Sequence, residues 1–363
     1  MAKAKKIRWY IPGLLVFIVF VFITPAPIPE ETVLKPVWIS SLESNNPIAF
    51  GNDPEGKDDG TLLPFTLGDR FGYVGENGSF VINRIKNGYI SMSEDHWAEY
   101  GPTPALIQVM NPLDEPVFSI DAPKGYPLFL DSRFFIVGSE QNFISAHNDR
   151  GETLWTYDFS APITSIDAAG RYLLAGTLDG EVILLNSSGV PAFAPFEPGG
   201  SRLSIILGCA ISQDASRLAL VSGIGEQRFL YLERSGDTYK VIYHEFLGSG
   251  FRRPVYIRFI DNDSKIVFER EGGLGIYSIG GRGSVRVGME GEIAALDDSG
   301  GDGFLFVITS QGPNEKRLIS IRYPGIIVNQ APFKSGSVFL IRRDKRLYLG
   351  GDFSMASFEL ERK

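Results

Sequence analysis

The sequence predicts an all-β protein that folds as a single β-propeller of seven four-stranded blades. Two observations lead to this prediction. Short apolar segments alternate with turn signals along most of the 363 residues, and one unit of sequence recurs at a nearly regular spacing. The 41 glycines, 26 phenylalanines and 14 tyrosines also favour turns and strands over helices. Beyond residue 25, no amphipathic pattern of ten or more residues indicates a helix.

The recurring unit is an apolar strand, an acidic turn, and a basic or small residue that leads a second apolar strand. In two clear copies, Ile166-Asp167 precedes Arg171-Tyr-Leu-Leu and Ile260-Asp261 precedes Lys265-Ile-Val-Phe. The acids of successive copies fall at positions 95, 131, 167, 214, 261, 297 and 344, with a mean spacing of about 41.5 residues. A four-stranded propeller blade takes about 40–45 residues, so seven copies predict seven blades. Two packed β-sandwiches are the alternative, because alternating strands suit both folds.

The repeated acids are expected to be structural, because an aspartate in a turn hydrogen-bonds its own backbone. The residues assigned to this role, together with one tryptophan, are Asp131, Asp167, Asp214, Asp261, Asp297, Asp344 and Trp155. The alternative is an inner ring of metal ligands, with calcium as the metal. Clusters such as Asp261-Asn-Asp263 lack the spacing of a known calcium loop, so no cofactor is predicted.

The N-terminal region has the pattern of a membrane signal. Residues 1–8 form a basic tail, and residues 9–25 form a transmembrane anchor or signal segment whose large apolar residues include Trp9, Leu14, Leu15, Phe17, Phe20 and Phe22. Because positive residues stay on the cytoplasmic side, the pattern predicts a single-pass protein of the cytoplasmic membrane with its N-terminus inside and the propeller outside, which is the periplasm in a bacterium. A cleaved signal and a buried helix are the alternatives.

The remaining chain is divided into a linker, residues 26–63, and the propeller, residues 64–363. The strand before the last repeated acid, Asp344, and the two strands after it make only three of the four strands expected in the last blade. The missing outer strand of the last blade is expected from Phe71-Gly-Tyr-Val and Ser79-Phe-Val-Ile82, which would join the two ends of the chain in one blade.

The segment Ala146-His-Asn-Asp-Arg-Gly151-Glu-Thr-Leu-Trp155 resembles the repeat of pyrroloquinoline-quinone-type propellers, in which a glycine turn leads to a tryptophan that docks between blades. The resemblance implies a propeller of the quinoprotein-like and WD-repeat-like class. The calcium site and vicinal cysteines of the quinoprotein enzymes have no match, so quinone binding is not implied. A non-enzymatic class of relatives is the periplasmic propeller that scaffolds outer-membrane β-barrel assembly.

Charge and composition argue against several classes of function. A net charge of −8 argues against nucleic acid as a partner, and the single cysteine excludes an intrachain disulfide. The three histidines lie far apart and no GxSxG elbow occurs, so no enzyme is predicted. Two basic clusters on this acidic chain are the candidate interaction patches: Arg252 and Arg253, and Arg342, Arg343, Lys345 and Arg346.

These observations predict a membrane-tethered scaffold that binds an unidentified protein of the cell envelope through the loops of the propeller. Its membrane contact would be the N-terminal helix. One alternative is a calcium- or small-ligand-binding sensor or enzyme with its site in the central channel. The other alternative is an envelope component that assembles with copies of itself.

Overall fold

The computed structural model describes residues 32–44, 47–50, 61–199, 203–298 and 301–362. All elements of regular structure in these segments are β-strands. The first sixteen are β1 (Thr32–Ser41), β2 (Ile48–Ala49), β3 (Leu62–Leu67), β4 (Arg70–Gly75), β5 (Phe80–Ile85), β6 (Tyr89–Met92), β7 (Trp97–Tyr100), β8 (Leu106–Met110), β9 (Pro116–Asp121), β10 (Gly125–Leu130), β11 (Arg133–Gly138), β12 (Phe143–His147), β13 (Thr153–Asp158), β14 (Ile163–Ala169), β15 (Tyr172–Thr177) and β16 (Val182–Leu185). The others are β17 (Ile206–Ile211), β18 (Arg217–Ser222), β19 (Arg228–Ser235), β20 (Thr238–Phe246), β21 (Ile257–Ile260), β22 (Lys265–Arg270), β23 (Gly273–Ser278), β24 (Ser284–Gly288), β25 (Glu292–Asp297), β26 (Phe304–Gly312), β27 (Glu315–Arg322), β28 (Ile326–Lys334), β29 (Val338–Arg343), β30 (Arg346–Gly351) and β31 (Ser354–Arg362).

The strands form eight antiparallel sheets, which are the blades of an eight-bladed propeller. In chain order, the blades are β3–β5, β6–β9, β10–β13, β14–β16, β17–β20, β21–β24, β25–β28, and β29–β31 joined by β1 and β2. The β-propeller prediction is confirmed, but the prediction of seven blades is wrong. Blade 1 carries the recurring unit as Leu67-Gly-Asp69-Arg70-Phe71, only 26 residues before Asp95. Because this blade has three described strands and a connection of only three residues, 86–88, to blade 2, its unit falls outside the expected spacing.

The ends of the chain meet in blade 8. Strand β1 pairs antiparallel with β31 along nearly its whole length, from Thr32 opposite Arg362 to Ser41 opposite Ser354. The expectation that Phe71–Val74 and Ser79–Ile82 would supply this outer strand is wrong, since those residues belong to β4 and β5 of blade 1. Strand β1 instead comes from within residues 26–63, the predicted linker. Pairing one terminus with the other removes an open sheet edge and closes the ring.

The predicted transmembrane anchor, residues 9–25, lies outside the described residues. Among the residues that the structure does describe, no helix is long and apolar enough to cross a membrane. The predicted localisation, a single-pass protein held in the cytoplasmic membrane by an N-terminal helix, is therefore corrected. The structure supports an all-β propeller and supplies no membrane-spanning helix in its described part.

Blades 2–8 give the propeller two distinct faces. The first strand of each of these blades is its inner strand, and successive inner strands such as β14, β17 and β21 lie side by side around the axis. The turns that follow the inner strands lie on one face, which we call the turn face. The segments that lead from one blade to the next, such as residues 247–256, lie on the opposite face, which we call the connection face.

Apolar side chains between neighbouring blades form the core. Between blades 5 and 6, the rings of Phe229 and Phe268 stack with a centroid separation of 4.1 Å, and both side chains are fully buried. The middle strands are buried on both sides, which explains why segments such as Leu218-Ala-Leu-Val221 are apolar without alternation. Burying one such side chain contributes about 1.5–3 kcal/mol, so each blade depends on its two neighbours.

A tryptophan on an outer strand docks onto a glycine turn of the next blade. The indole N–H of Trp155 in blade 3 donates to the carbonyl oxygen of Ser187 in blade 4 at 3.0 Å. Its ring lies against Gly189, where a Cβ atom would be 2.6 Å from a ring carbon. Trp38 in β1 repeats the arrangement against Glu76 and Gly78 of blade 1, with a hydrogen bond of 2.7 Å.

Replacing Gly189 tests this contact, and Gly280 provides a matched control. Both glycines have a positive φ, 75° and 76°, but nothing lies within 4 Å of a Cβ atom at Gly280. Backbone strain should cost both Gly→Ala variants about 1–2 kcal/mol. Gly189→Ala should lose about 1–3 kcal/mol more, because the methyl group overlaps the Trp155 ring. Urea unfolding followed by tryptophan fluorescence measures both values, and equal losses would contradict the docking role.

Candidate functional site

Five of the seven repeated acids lie in the turns that follow inner strands, on the turn face, and four of them, Asp95 being the exception, show a feature typical of a turn aspartate. Asp131, Asp261 and Asp344 adopt positive φ values of 48°, 55° and 51°, a conformation that aspartate tolerates better than most residues. Asp214 accepts hydrogen bonds from the Ser216 backbone N–H and from the Ser212 hydroxyl, at 2.9 and 2.7 Å. These contacts make the four aspartates part of the turn structure.

Asp167 and Asp297 lie in inner strands rather than in turns, and each links two blades. The Asp167 carboxylate in β14 accepts the backbone N–H of Ile211 in β17 at 2.9 Å. The Asp297 carboxylate in β25 accepts the N–H of Arg342 in β29 at 2.8 Å. Inner strands of neighbouring blades are too far apart to form a regular ladder, so these side chains connect them. The expectation that both are turn residues is therefore corrected.

Acids of blades 4, 6 and 7 border a basin of about 310 Å³ on the turn face, whose lining includes Asp167, Arg258 and Asp263. Most of its carboxylates already accept hydrogen bonds. The Gln213 N–H donates to Asp263 at 2.8 Å, and the Asp261 N–H donates to Asp298 at 2.7 Å. Among the described residues, no group of three or more His, Cys, Asp or Glu side chains is placed to hold a metal ion.

Partial burial shifts the titration of one of these carboxyls, that of Asp167. Removal from water raises the pKa of Asp167 to about 6, and the hydrogen bonds from Ile211 and Ala168 offset part of that effect. Asp214 behaves oppositely, because hydrogen bonds from Ser216 and Ser212 lower its pKa to about 2. Two members of the same sequence repeat therefore have different electrostatic roles.

A serine–histidine contact in blade 3 also has a structural explanation. Ser145 Oγ lies 2.9 Å from His147 Nε2, and His147 Nδ1 lies 3.1 Å from the carbonyl oxygen of Gly151. The two side chains share one face of β12, and the histidine connects that strand to the following turn. Ser145 is only 6% exposed. Burial lowers the pKa of His147.

Most side chains of the second predicted basic cluster form contacts between blades. The Arg342 side chain is fully buried, pairs with Asp302 and lies over the ring of Phe306. Arg343 pairs with Glu94 of blade 2, and Arg346 lies 3.7 Å from the Glu76 carboxylate of blade 1. Lys345 is exposed. Arg342 is therefore not available to a partner at the surface, because its guanidinium is buried and pairs with a carboxylate.

The first predicted basic cluster lies on the connection face between blades 5 and 6. Arg253 forms a two-pronged ion pair with Glu269, with N–O distances of 2.7 and 3.0 Å, and lies 4.8 Å from the ring centre of Phe251. Arg252 is exposed and forms no side-chain hydrogen bond or ion pair with the described residues. One guanidinium is thus held in place while its neighbour remains available.

Both arginines border a cavity of about 580 Å³ at the connection-face mouth of the channel. The inner strands of blades 3–5 supply much of its wall. Its apolar lining residues are Tyr126, Leu128, Leu130, Val137, Ile163, Ile166, Leu178, Ile205, Leu207 and Ile224. Among the described residues, no carboxylate lines it, although the chain as a whole carries a net charge of −8. The cavity therefore combines an apolar wall with a local positive charge.

A row of tyrosines extends from this cavity across blades 3 and 2. The ring of Tyr126, in the cavity wall, stacks with Tyr100 at a centroid distance of 6.3 Å, and Tyr100 contacts Tyr89 at 5.7 Å. Tyr89 is 59% exposed. We call the cavity, these tyrosines, Arg252 and Arg253 the channel-mouth surface. It can bury apolar groups, stack against planar groups and pair with a carboxylate.

Sequence reasoning found only part of the channel-mouth surface. The adjacent pair Arg252-Arg253 could be identified from the sequence, because two neighbouring basic residues are unusual on an acidic chain. The apolar wall could not be predicted, because its residues come from six separate segments between residues 126 and 224. Each segment alone looks like an ordinary strand or loop of a propeller.

Asparagine substitutions of Asp167 and Asp214 should change the pH dependence of stability in opposite directions. Between about pH 4 and 6, folded Asp167 retains a proton that the unfolded chain has released, so the free energy of unfolding falls as pH rises. Asp167→Asn should remove this loss, up to roughly 3 kcal/mol at about 1.4 kcal/mol for each pKa unit. Asp214→Asn should instead lose stability above about pH 4, and the difference should fade towards about pH 2.

Urea unfolding of both variants and the wild type between pH 3 and 8 measures these slopes. The two variants act as controls for each other, since each removes one carboxylate from the same sequence repeat. A pH profile of Asp167→Asn that parallels the wild type would contradict the buried, protonated role of Asp167.

A family model described as beta-propeller protein matches residues 1–362. An uncharacterized protein of Treponema pallidum (strain Nichols) is 25% identical over 366 residues, which cover 99% of this chain and 95% of that protein. The SEC12-like protein 2 of Arabidopsis thaliana is 27% identical over 126 residues, which cover 30% of this chain and 32% of that protein.

Two solved structures show the same architecture. BamB from Moraxella catarrhalis matches with a TM-score of 0.60 and 13% identity, over 90% of this chain and 100% of that chain. The computationally designed Ika8 protein matches with a TM-score of 0.57 and 12% identity, over 82% and 96% of the two chains. At these identities the likeness shows the fold alone, and the quinoprotein-like class remains a resemblance. Because the family model spans nearly the whole sequence, this chain belongs to the beta-propeller protein family.

Proposed function

We propose that this propeller is a protein-interaction scaffold and that its partner docks on the channel-mouth surface. The observation that carries the proposal is the combination, at one site, of an apolar cavity, a tyrosine row and two arginines. Tyrosine and arginine are the residue types that most often dominate binding energy at protein interfaces. An apolar centre with a polar border is also the usual anatomy of such interfaces.

The rigidity of the disc supports binding without rearrangement. The walls of the cavity are strands packed between neighbouring blades, and residues such as Leu207 and Val137 are almost fully buried. A surface that is already ordered loses little conformational entropy when a partner arrives, so more of the contact energy appears as affinity. The turn face has fewer charged groups available to a partner, since its carboxylates accept hydrogen bonds within turns and between blades.

An envelope protein is the class of partner that this proposal expects. It rests on the resemblance of the repeat to propellers that scaffold assembly in the periplasm, and the likeness in fold to BamB agrees with it. A small apolar ligand is the second candidate occupant, because about 580 Å³ lies within the roughly 300–1,000 Å³ range of small-molecule pockets.

Site-specific photo-crosslinking in the cells that make this protein tests the proposal. A benzophenone amino acid at Leu178, a cavity residue that is 47% exposed, should give a discrete adduct of protein size. The same probe at Leu113, 65% exposed in the turn between β8 and β9 on the turn face, is the matched control and should give little adduct. Excess purified wild-type protein should compete with the Leu178 adduct.

Two outcomes would overturn the proposed function. One is equal adduct formation at Leu178 and Leu113, which would indicate non-specific contact. The other is the absence of any protein-sized adduct at Leu178. A low-mass adduct at Leu178 alone, seen by mass spectrometry of the purified protein, would favour the small-ligand candidate instead.

A further inference from the structure

We infer that the channel-mouth surface captures an extended segment of the partner that carries a bulky apolar side chain next to a carboxylate. This inference rests on the proposed function and adds the chemistry of the partner. Three features of the site support it: the shape of the cavity, the hydrogen bonds that two polar side chains of its wall already form, and the sign of the charge at its border.

The cavity is recessed, so only a protruding part of a partner can fill it. Ile163 and Leu207, in its wall, belong to inner strands that line the channel, whereas Leu178 stands at the rim. A flat folded surface would rest on the rim and leave the wall uncovered. An extended segment can insert one side chain into the recess while its backbone stays at the level of the rim.

Two polar side chains of the wall, Thr164 and Ser165, already have hydrogen-bond partners. The Thr164 hydroxyl is hydrogen-bonded to the carbonyl oxygens of Gly176 and Ile206, and the Ser165 hydroxyl accepts the N–H of Cys209 at 2.9 Å. An apolar side chain that enters the recess therefore leaves the hydrogen bonds of Thr164 and Ser165 intact. A polar or charged side chain would lose its water there without gaining a partner. The recess thus favours a bulky apolar residue.

The border of the cavity favours a carboxylate. Arg252 is exposed and has no partner among the described residues, and the lining contains no acid. Glu269 already neutralises Arg253 and holds it against Phe251, which leaves one uncompensated positive charge at the rim. The net charge of −8 repels acids at long range, but salt screens that repulsion beyond about 8 Å at physiological ionic strength. At contact distance, the positive charge of Arg252 makes the interaction of the rim with a carboxylate attractive.

Peptide selection tests the inference without knowledge of the partner. A phage-displayed library of random twelve-residue peptides is selected against the full chain. Enriched peptides should carry Asp or Glu within about three positions of Leu, Ile, Phe, Met or Trp, and should be depleted in Lys and Arg. One enriched peptide, synthesised with a fluorescent label, then serves as the probe for affinity measurements on variants.

Charge reversal at the rim provides the decisive comparison. Arg252→Glu should weaken probe binding at least about tenfold, because it replaces a favourable charge pair with a repulsive one. Arg252→Lys, which keeps the charge, should stay within about threefold of the wild type. Arg282→Glu reverses another exposed arginine, in the turn between β23 and β24, and should bind the probe like the wild type. Matching thermal melts would show that all three variants fold.

The failure of this inference is distinguishable from failure of the proposed function. Enriched peptides without acids, no enrichment at all, or equal affinity of the probe for wild type and Arg252→Glu would each overturn the inference. A Leu178 photo-adduct that forms equally well in Arg252→Glu would leave the scaffold role intact and refute the acidic segment. The absence of that adduct in the wild type would refute the scaffold role itself.

Discussion

The antiparallel pairing of β1 with β31 holds the ring of eight blades closed. Each blade buries its apolar faces only against its two neighbours, so a row of eight blades that did not close would expose a large apolar surface at each end. Strand β1 prevents this by adding its backbone to the C-terminal hairpin, while Trp38 docks on the first blade. One strand thus completes blade 8 and also joins it to blade 1. The channel has a defined mouth only because the ring is closed.

Polar side chains supplement the apolar packing where neighbouring inner strands are not paired in a ladder. Asp167 and Asp297 accept backbone N–H groups of the next blade, and buried Arg342 balances a carboxylate at the last junction. These contacts are costly to form in a buried setting, but once every partner is present they specify how one blade sits on the next. They also explain why so many acids lie on the turn face without forming a metal site among the described residues.

The two faces consequently differ in what they can offer a partner. On the turn face, short turns use their aspartates to satisfy their own backbone and to link blades. On the connection face, residues 247–256 lead from blade 5 to blade 6, and Arg252, the tyrosine row and the apolar cavity are accessible. Recognition is commonly carried by loops that a rigid scaffold holds in place. The architecture therefore separates the part that maintains the ring from the part available for binding.

The sequence pattern predicted the β class, the repeating blade unit and the aspartates of the turns, because these depend on residues that are neighbours along the chain. It also identified Arg252 and Arg253 as unusual. Only the tertiary structure decided the number of blades, since Asp69 lies too close to Asp95 for the regular spacing. The closing strand was likewise hidden, because Thr32 finds its partner Arg362 more than 300 residues away. The cavity was hidden for the same physical reason: packing between blades, and not local pattern, brings its walls together.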